Sequence, residues 1–250
     1  MTLLVNEIHV REHLGHGLII LAADRRVTVD GKFHSNRKKL FRIPYLNAGV
    51  GYFGLAQVDQ GKFLSEWLPN FINYTCEVGS LEKFARVLCD KLNHKVNKEF
   101  LKKAPSGFHV CGYNAKNLPE LWFVRNIRSM EDHVYRGFAT EYNLTEDFLA
   151  RDARKCGFNG VNPKVPCSFI QYYINGDVRA FHSIWQRLDE FLAKMFSQAD
   201  FRHPQQSTDL EAVAKWKMGV ISSFYKQFAE KQIIGAPIDA FVLLPEGETG

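Results

Sequence analysis

Four residues near the start of the chain have the types that a hydrolase with a hydroxyl nucleophile needs: Thr2, Asp24, Lys39 and Gly54. A hydroxyl attacks a carbonyl well only when a base takes its proton. Removal of Met1, which a small second residue permits, turns the α-amine of Thr2 into that base, because an α-amine with a reference pKa of about 7.7–8.0 is partly neutral near neutral pH. Nucleophile and base then share one residue. The chemistry further requires a cation to lower the hydroxyl pKa, an acid to hold the cation, and a backbone N–H for the oxyanion. Lys39, Asp24 and Gly54 supply these in turn. A hairpin over residues 2–24, turning through Glu12, His13, Leu14 and Gly15, sets Thr2 opposite Asp24.

These residues depend on a β-rich opening. "TLLVNEIHV", "LIILAAD", "RRVTVDGKFHS" and "LNAGVGYFG" are short apolar or alternating runs separated by turn signals. Asp30-Gly31 reads as a two-residue hairpin turn. From residue 56 to 103 the period lengthens, with Leu81, Phe84, Leu88, Leu92 and Val96 on one face, and two helices fit. "GFHVCGY" and "ELWFVRNI" return to strand. Residues 136–166 hold two prolines and no period, and read as an irregular loop. Helical spacing resumes at Val178, Phe181, Trp185, Leu188, Leu192 and Met195, after a start at Asn175–Asp177. A further helix follows a Thr208-x-x-Glu211 capping box, with Val213, Val220, Phe224 and Phe228 inward. "IDAFVLL" closes the chain as a strand. Strand blocks alternating with helix pairs predict antiparallel sheets in an α+β fold, packed face to face and covered outside by helices, as a single domain over residues 1–250.

The bulk composition excludes several classes. The chain has 250 residues, 46% hydrophobic and 24% charged, enough to bury a core. Its net charge of +5 is spread along the chain and implies no nucleic-acid partner. The densest basic run, His34, Arg37, Lys38, Lys39 and Arg42, reads as a solvated strand face. Five scattered cysteines without a C-x-x-C pair suit a reducing cytoplasm. No run of apolar residues is long enough for a membrane span, and the charged first twenty residues do not form a signal peptide.

Ala22-Ala23-Asp24-x-Arg26-x-Thr28, then Lys38-Lys39 before an apolar strand, then Gly49-x-Gly51-x-x-Gly54-Leu55-Ala56, resembles the opening of proteasome β-type subunits and their bacterial relatives, which are N-terminal nucleophile hydrolases. The resemblance covers residues 17–59, and "IIGAPIDAFVLL" echoes a later strand of the family. It implies a four-layer αββα sandwich, assembly of like subunits into rings or stacks, an ATPase unfoldase as partner, and hydrolysis of peptides without a cofactor or metal. By position it implies Thr2 as nucleophile, Asp24 and Arg26 as acid and charge partner, Lys39 as cation and Gly54 as oxyanion donor. It also implies serines and an aspartate supporting the amine. Ser168, Asp177 and Ser183 lie in the corresponding region, where "NGDVRAFHSIW" departs from the family's glycine-serine pattern.

Two other readings remain open. His9-Val10-Arg11-Glu12-His13 fits H-x-x-E-H, which on a helix would set two histidines around zinc with Glu12 as base, and His16 adds a third imidazole. The adjacent glycines and β-branched residues favour a strand instead. The other reading is a catalytically inactive, structural subunit of a proteasome-like assembly, in which the charged cluster serves only the strands.

Overall fold

The computed structural model describes residues 2–10, 17–29, 32–59, 61–148 and 169–247. Strands β1 (Leu3–Val10) and β2 (Gly17–Asp24) are buried along almost their whole length, which is why "LIILAAD" reads as continuously apolar. They pair antiparallel from Leu4↔Ala23 to Val10↔Gly17. That register is one residue away from the hairpin symmetry expected above, and carried one step further it sets Leu3, not Thr2, opposite Asp24.

Strand β12 (Phe169–Gly176) joins β1, and β13 (Ile238–Leu243) joins β2, in the order β12-β1-β2-β13. A second sheet contains β5 (Leu40–Ile43), β6 (Ala48–Phe53), β9 (Gly107–Tyr113), β10 (Pro119–Glu131) and β11 (Val134–Phe148), in the order β11-β10-β9-β6-β5. Two ribbons stand apart: β3 (Arg26–Val29) with β4 (Lys32–Asn36), and β7 (Gln57–Asp59) with β8 (Lys62–Phe63). The helices are α1 (Leu64–Tyr74), α2 (Leu81–Lys95), α3 (Lys98–Leu101), α4 (Val178–Ala180), α5 (Gln186–Phe196) and α6 (Ser207–Phe228), with a π-helical stretch at Phe181–Trp185 between α4 and α5.

Three apolar clusters hold these elements. Trp67 and Phe71 of α1 and Phe84 and Leu88 of α2 pack on Val50, Phe108 and Val110 of the five-stranded sheet. Leu4, Ile19 and Leu21 meet Leu40, Cys111 and Phe123 between the two larger sheets. Leu3, Ile20 and Ala22 pack against Phe181, Trp185, Met218 and Ile221.

The expected four-layer αββα sandwich of two sheets flanked by helix pairs is corrected by this arrangement. The fold is mixed, 35% helix and 40% strand, with the strands of the described residues divided among four sheets, two of them only two-stranded. Gly54, at φ +80°, takes the chain out of β6 and into the separate β7–β8 ribbon. The second helix pair is also irregular: α5 has no buried residue, and Leu188, Leu192 and Met195 are only half-buried.

Three local expectations change as well. Residues 136–148 are strand, not loop; residues 149–166 lie outside the described residues. The pairing of β11 with β10 jumps between Arg125↔Asn143 and Ile127↔Phe138, and such a bulge breaks the alternation by which a strand is read. Helix α6 starts one residue earlier than Thr208, with Gln206 and Asp209 as its capping box. Its inward face is Leu210, Ala214, Lys217, Met218 and Ile221, whereas Phe224 is 50% and Phe228 70% exposed. The helical period holds, but its phase follows the apolar stripe Leu210, Ala214, Met218 and Ile221, with Lys217 on the same face bonded to Glu7.

Candidate active site

Thr2 is 2% exposed and sits ahead of β1, at the floor of a cleft of about 640 Å³. Despite the shifted register, it meets the two side chains expected from the sequence. Its Oγ1 donates to Asp24 Oδ1 and accepts from Lys39 Nζ. The contact survives because Asp24 reaches diagonally across the strand end: the same Oδ1 accepts from Leu3 N–H at 3.0 Å. Asp24 Oδ2 accepts from Arg26 N–H at 3.0 Å and from Lys39 Nζ at 3.4 Å. All the donors converge on one fully buried carboxylate.

Lys39 is 4% exposed and also donates to the Arg26 carbonyl at 2.6 Å, so its ammonium has three partners. Burial pulls Lys39 below the usual lysine range, and the charge and hydrogen bond of Asp24 restore it only in part. An amine so placed exchanges a proton with a neighbouring hydroxyl more readily than a solvated lysine does. The basic run is therefore not one solvated face. Arg37 pairs with Glu66 at 2.9 Å and lies over Phe63, and Arg42 lies over Phe241 and donates to the Val242 carbonyl.

Arg26 contributes to the site through its backbone; its guanidinium lies 4.9 Å from the centre of the Phe33 ring. Arg25 instead makes a two-pronged ion pair with Asp239 on β13, at 2.6 and 2.8 Å. The acid and two bases closing β2 thus point three ways: to Thr2, to the neighbouring strand and to the ribbon.

Gly54 lines the cleft with Thr2. Its left-handed backbone and the approach of the Pro105 carbonyl, which a Cβ would overlap, both require glycine. Gly176 is the second such position. At φ +93° it brings the end of β12 against Thr2, and a Cβ there would overlap the Thr2 carbonyl. The next amide, Asp177 N–H, donates to that carbonyl at 2.8 Å.

Asp177 is thus brought to Thr2, but by its amide. Its carboxylate accepts from Arg179 at 3.0 and 3.1 Å and from Tyr225 at 2.6 Å. Burial pushes this carboxyl up, yet those hydrogen bonds hold it below the ordinary range. Ser183 lies in the π-helical stretch and lines a different cavity, and Ser168 is outside the described residues.

A buried polar chain not foreseen from the sequence leads to the same turn. Asn6 Nδ2 donates to Cys111 Sγ, His109 Nδ1 to Asn6 Oδ1 at 2.5 Å, and Asn175 Nδ2 to His109 Nε2 at 2.5 Å. Tyr135 OH then donates to Asn175 Oδ1 at 3.0 Å and accepts from Gly176 N–H at 2.9 Å. Every donor points the same way, which requires a neutral His109. Burial, assisted by the charge of Arg125, lowers its pKa well below the usual value. In the sequence these residues are isolated polar positions in apolar strands, and only the adjacency of four strands joins them. Asn175-Gly176-Asp177 did carry a signal, as a turn before a helix.

His9 stands on strand β1, with Nε2 2.6 Å from Glu7 Oε2, so the helical zinc arrangement does not begin there. Glu12, His13 and His16 lie outside the described residues. Among the described residues no group of three or more His, Cys, Asp or Glu side chains is placed to hold a metal. Nor is any helix among the described residues long and apolar enough to cross a membrane. No protein-family model and no curated protein matches the chain.

Proposed function

We propose that the chain is a threonine hydrolase of peptide or other amide bonds, working as proteasome β-type N-terminal nucleophile hydrolases do. The observation that carries this reading is Thr2 Oγ1, held between a buried carboxylate and a buried amine at the floor of a cleft. The reading rests on the site and not on the overall architecture.

Once Met1 is removed, the neutral α-amine of Thr2 takes the Oγ1 proton, and the oxygen attacks the substrate carbonyl carbon. Lys39, anchored by Asp24, stabilises the developing alkoxide, and Gly54 N–H receives the oxyanion. The tetrahedral intermediate expels the amine, which leaves with the proton from the α-ammonium. A water, deprotonated by the same α-amine, then cleaves the ester on Thr2 and restores the hydroxyl. No cofactor or metal takes part. Assembly with further copies, delivery of substrate by an ATPase unfoldase and a cytoplasmic site of action complete the proposal.

Intact mass of the untagged protein, read together with hydrolysis of a fluorogenic peptide panel, tests it. A chain starting at Thr2, active as wild type and inactive as Thr2→Ala, is the expected result. A retained Met1 with no hydrolysis refutes it and leaves the structural-subunit reading, which the deep burial of Thr2 favours.

A further inference from the structure

Four consecutive residues of β3, Arg26, Val27, Thr28 and Val29, line the cleft, as do Gln57, Val58 and Asp59 of β7. Side chains alternate across a strand, so consecutive residues can all line one cleft only where the strand turns its edge toward it. Among the described residues each of these strands pairs with one neighbour in a two-stranded ribbon and has one edge without a ladder partner. Arg26 N–H and C=O are engaged by Asp24 and Lys39, so the strand edges turned to an extended chain are those of Val27, Thr28 and Val29 and of Gln57–Asp59.

Its side chains show what that chain carries. Val29, 54% exposed, and Phe100, 38% exposed, line the cleft from the ribbon and from α3, so apolar surface stands open there. Arg26, His34 and Lys95 are the bases at its sides, and Asp59 is the one acid among its described lining residues. Asp59 already has an interaction of its own. Lys39 is engaged by Asp24. No carboxylate among the described residues pairs with Arg26 or Lys95, and Arg26 Nε is buried without a hydrogen-bond partner.

We infer that the cleft selects an extended peptide segment that presents an apolar side chain next to an acidic one. Cleavage of such a segment rests on the hydrolase reading, but its binding does not. The strand edges take the peptide backbone, Val29 and Phe100 take the apolar side chain, and Arg26 and Lys95 attract the carboxylate, most strongly at low salt.

Calorimetric titration of the Thr2→Ala protein with three hexapeptides of one backbone tests the inference without chemistry. One carries Glu-Leu at its centre, one Lys-Leu and one Glu-Gln. Thr2→Val keeps the β-branched shape if the alanine form does not stay folded. The expected result is that the Glu-Leu peptide binds about tenfold tighter than either of the others. Lys95→Glu, at an exposed helix end, should close its lead over Lys-Leu. Equal or tighter binding of Lys-Leu, equal binding of Glu-Gln, or no saturable binding by any of the three overturns the inference. Hydrolysis of the same peptides by the wild type separates the two readings. Selective binding without cleavage sinks the hydrolase and keeps the selectivity, while cleavage with the opposite preference does the reverse.

Discussion

Asp24→Asn is nearly isosteric, yet the structure predicts that it is among the most damaging single changes at the site. Both carboxylate oxygens are surrounded by donors. Oδ1 accepts from Leu3 N–H and Thr2 Oγ1, and Oδ2 accepts from Arg26 N–H and Lys39 Nζ. An asparagine has one acceptor oxygen and one donor group, so either orientation turns an NH2 toward a fixed backbone N–H. A buried donor left unsatisfied costs about 1–3 kcal/mol. The uncompensated Lys39 ammonium raises the total toward the roughly 3–5 kcal/mol typical of a broken buried ion pair. Lys39 has a way to relieve this, because burial already favours its neutral form. We therefore expect a loss of about 3–4 kcal/mol, centred on the lower part of that range. Asp24→Ala should fall within about 1 kcal/mol of Asp24→Asn, since neither satisfies the donors. Urea denaturation of the two variants and the wild type at pH 7 measures both values. An asparagine variant within about 1 kcal/mol of the wild type would refute the claim that four convergent donors define this position.

The Lys217–Glu7 pair gives a pH-dependent counterpart away from the cleft. Burial alone raises Glu7, but the charge of Lys217 and then the bond to His9 bring it down to about 2. Because the folded value is depressed, the stabilisation is fully present above about pH 4.5 and is lost as pH falls toward 2; that shift corresponds to about 3 kcal/mol. Lys217→Met should destabilise by about 3–5 kcal/mol at pH 7, and by less at pH 4, where the deprived Glu7 takes a proton; a pH-independent loss in thermal melts contradicts the pairing. Gly176→Ala forces a Cβ onto the Thr2 carbonyl, so we expect a loss of about 2 kcal/mol or more, with altered amide signals at Thr2 and Leu3 in NMR spectra. Unchanged spectra and stability count against the cradle. Met218→Ala should cost about 2–5 kcal/mol and Phe228→Ser within about 0.5 kcal/mol, and the reverse order in denaturant would restore the helix phase read from the sequence.

Local patterns in the sequence determined a good deal. β1, β2, β9 and β13 appear where apolar runs place them, because burial on a sheet leaves its mark on consecutive residues. Helices α1 and α2 fall inside the segment whose period is helical, and Leu81, Phe84, Leu88 and Leu92 are all buried. Asp24 and Lys39 meet Thr2 because both sit at the ends of legible strands.

What the sequence did not carry are relations between segments far apart in the chain. The one-residue shift of the first hairpin depends on which edge each neighbouring strand takes, and two-residue alternation alone does not express that. The inward face of α6 carries Lys217, whose partner Glu7 lies 210 residues away, and two phenylalanines stay outside. The departure of the chain from β6 into the separate β7–β8 ribbon turns on a left-handed glycine, which looks in sequence like any other turn between strands. The amide that holds Thr2 from residue 177, and the polar chain from Cys111 to Tyr135, exist only where β1, β9, β11 and β12 come together. Local propensity and periodicity select the elements; only their packing decides which buried polar groups become partners, because each must find its donor or acceptor within hydrogen-bond reach once water is gone.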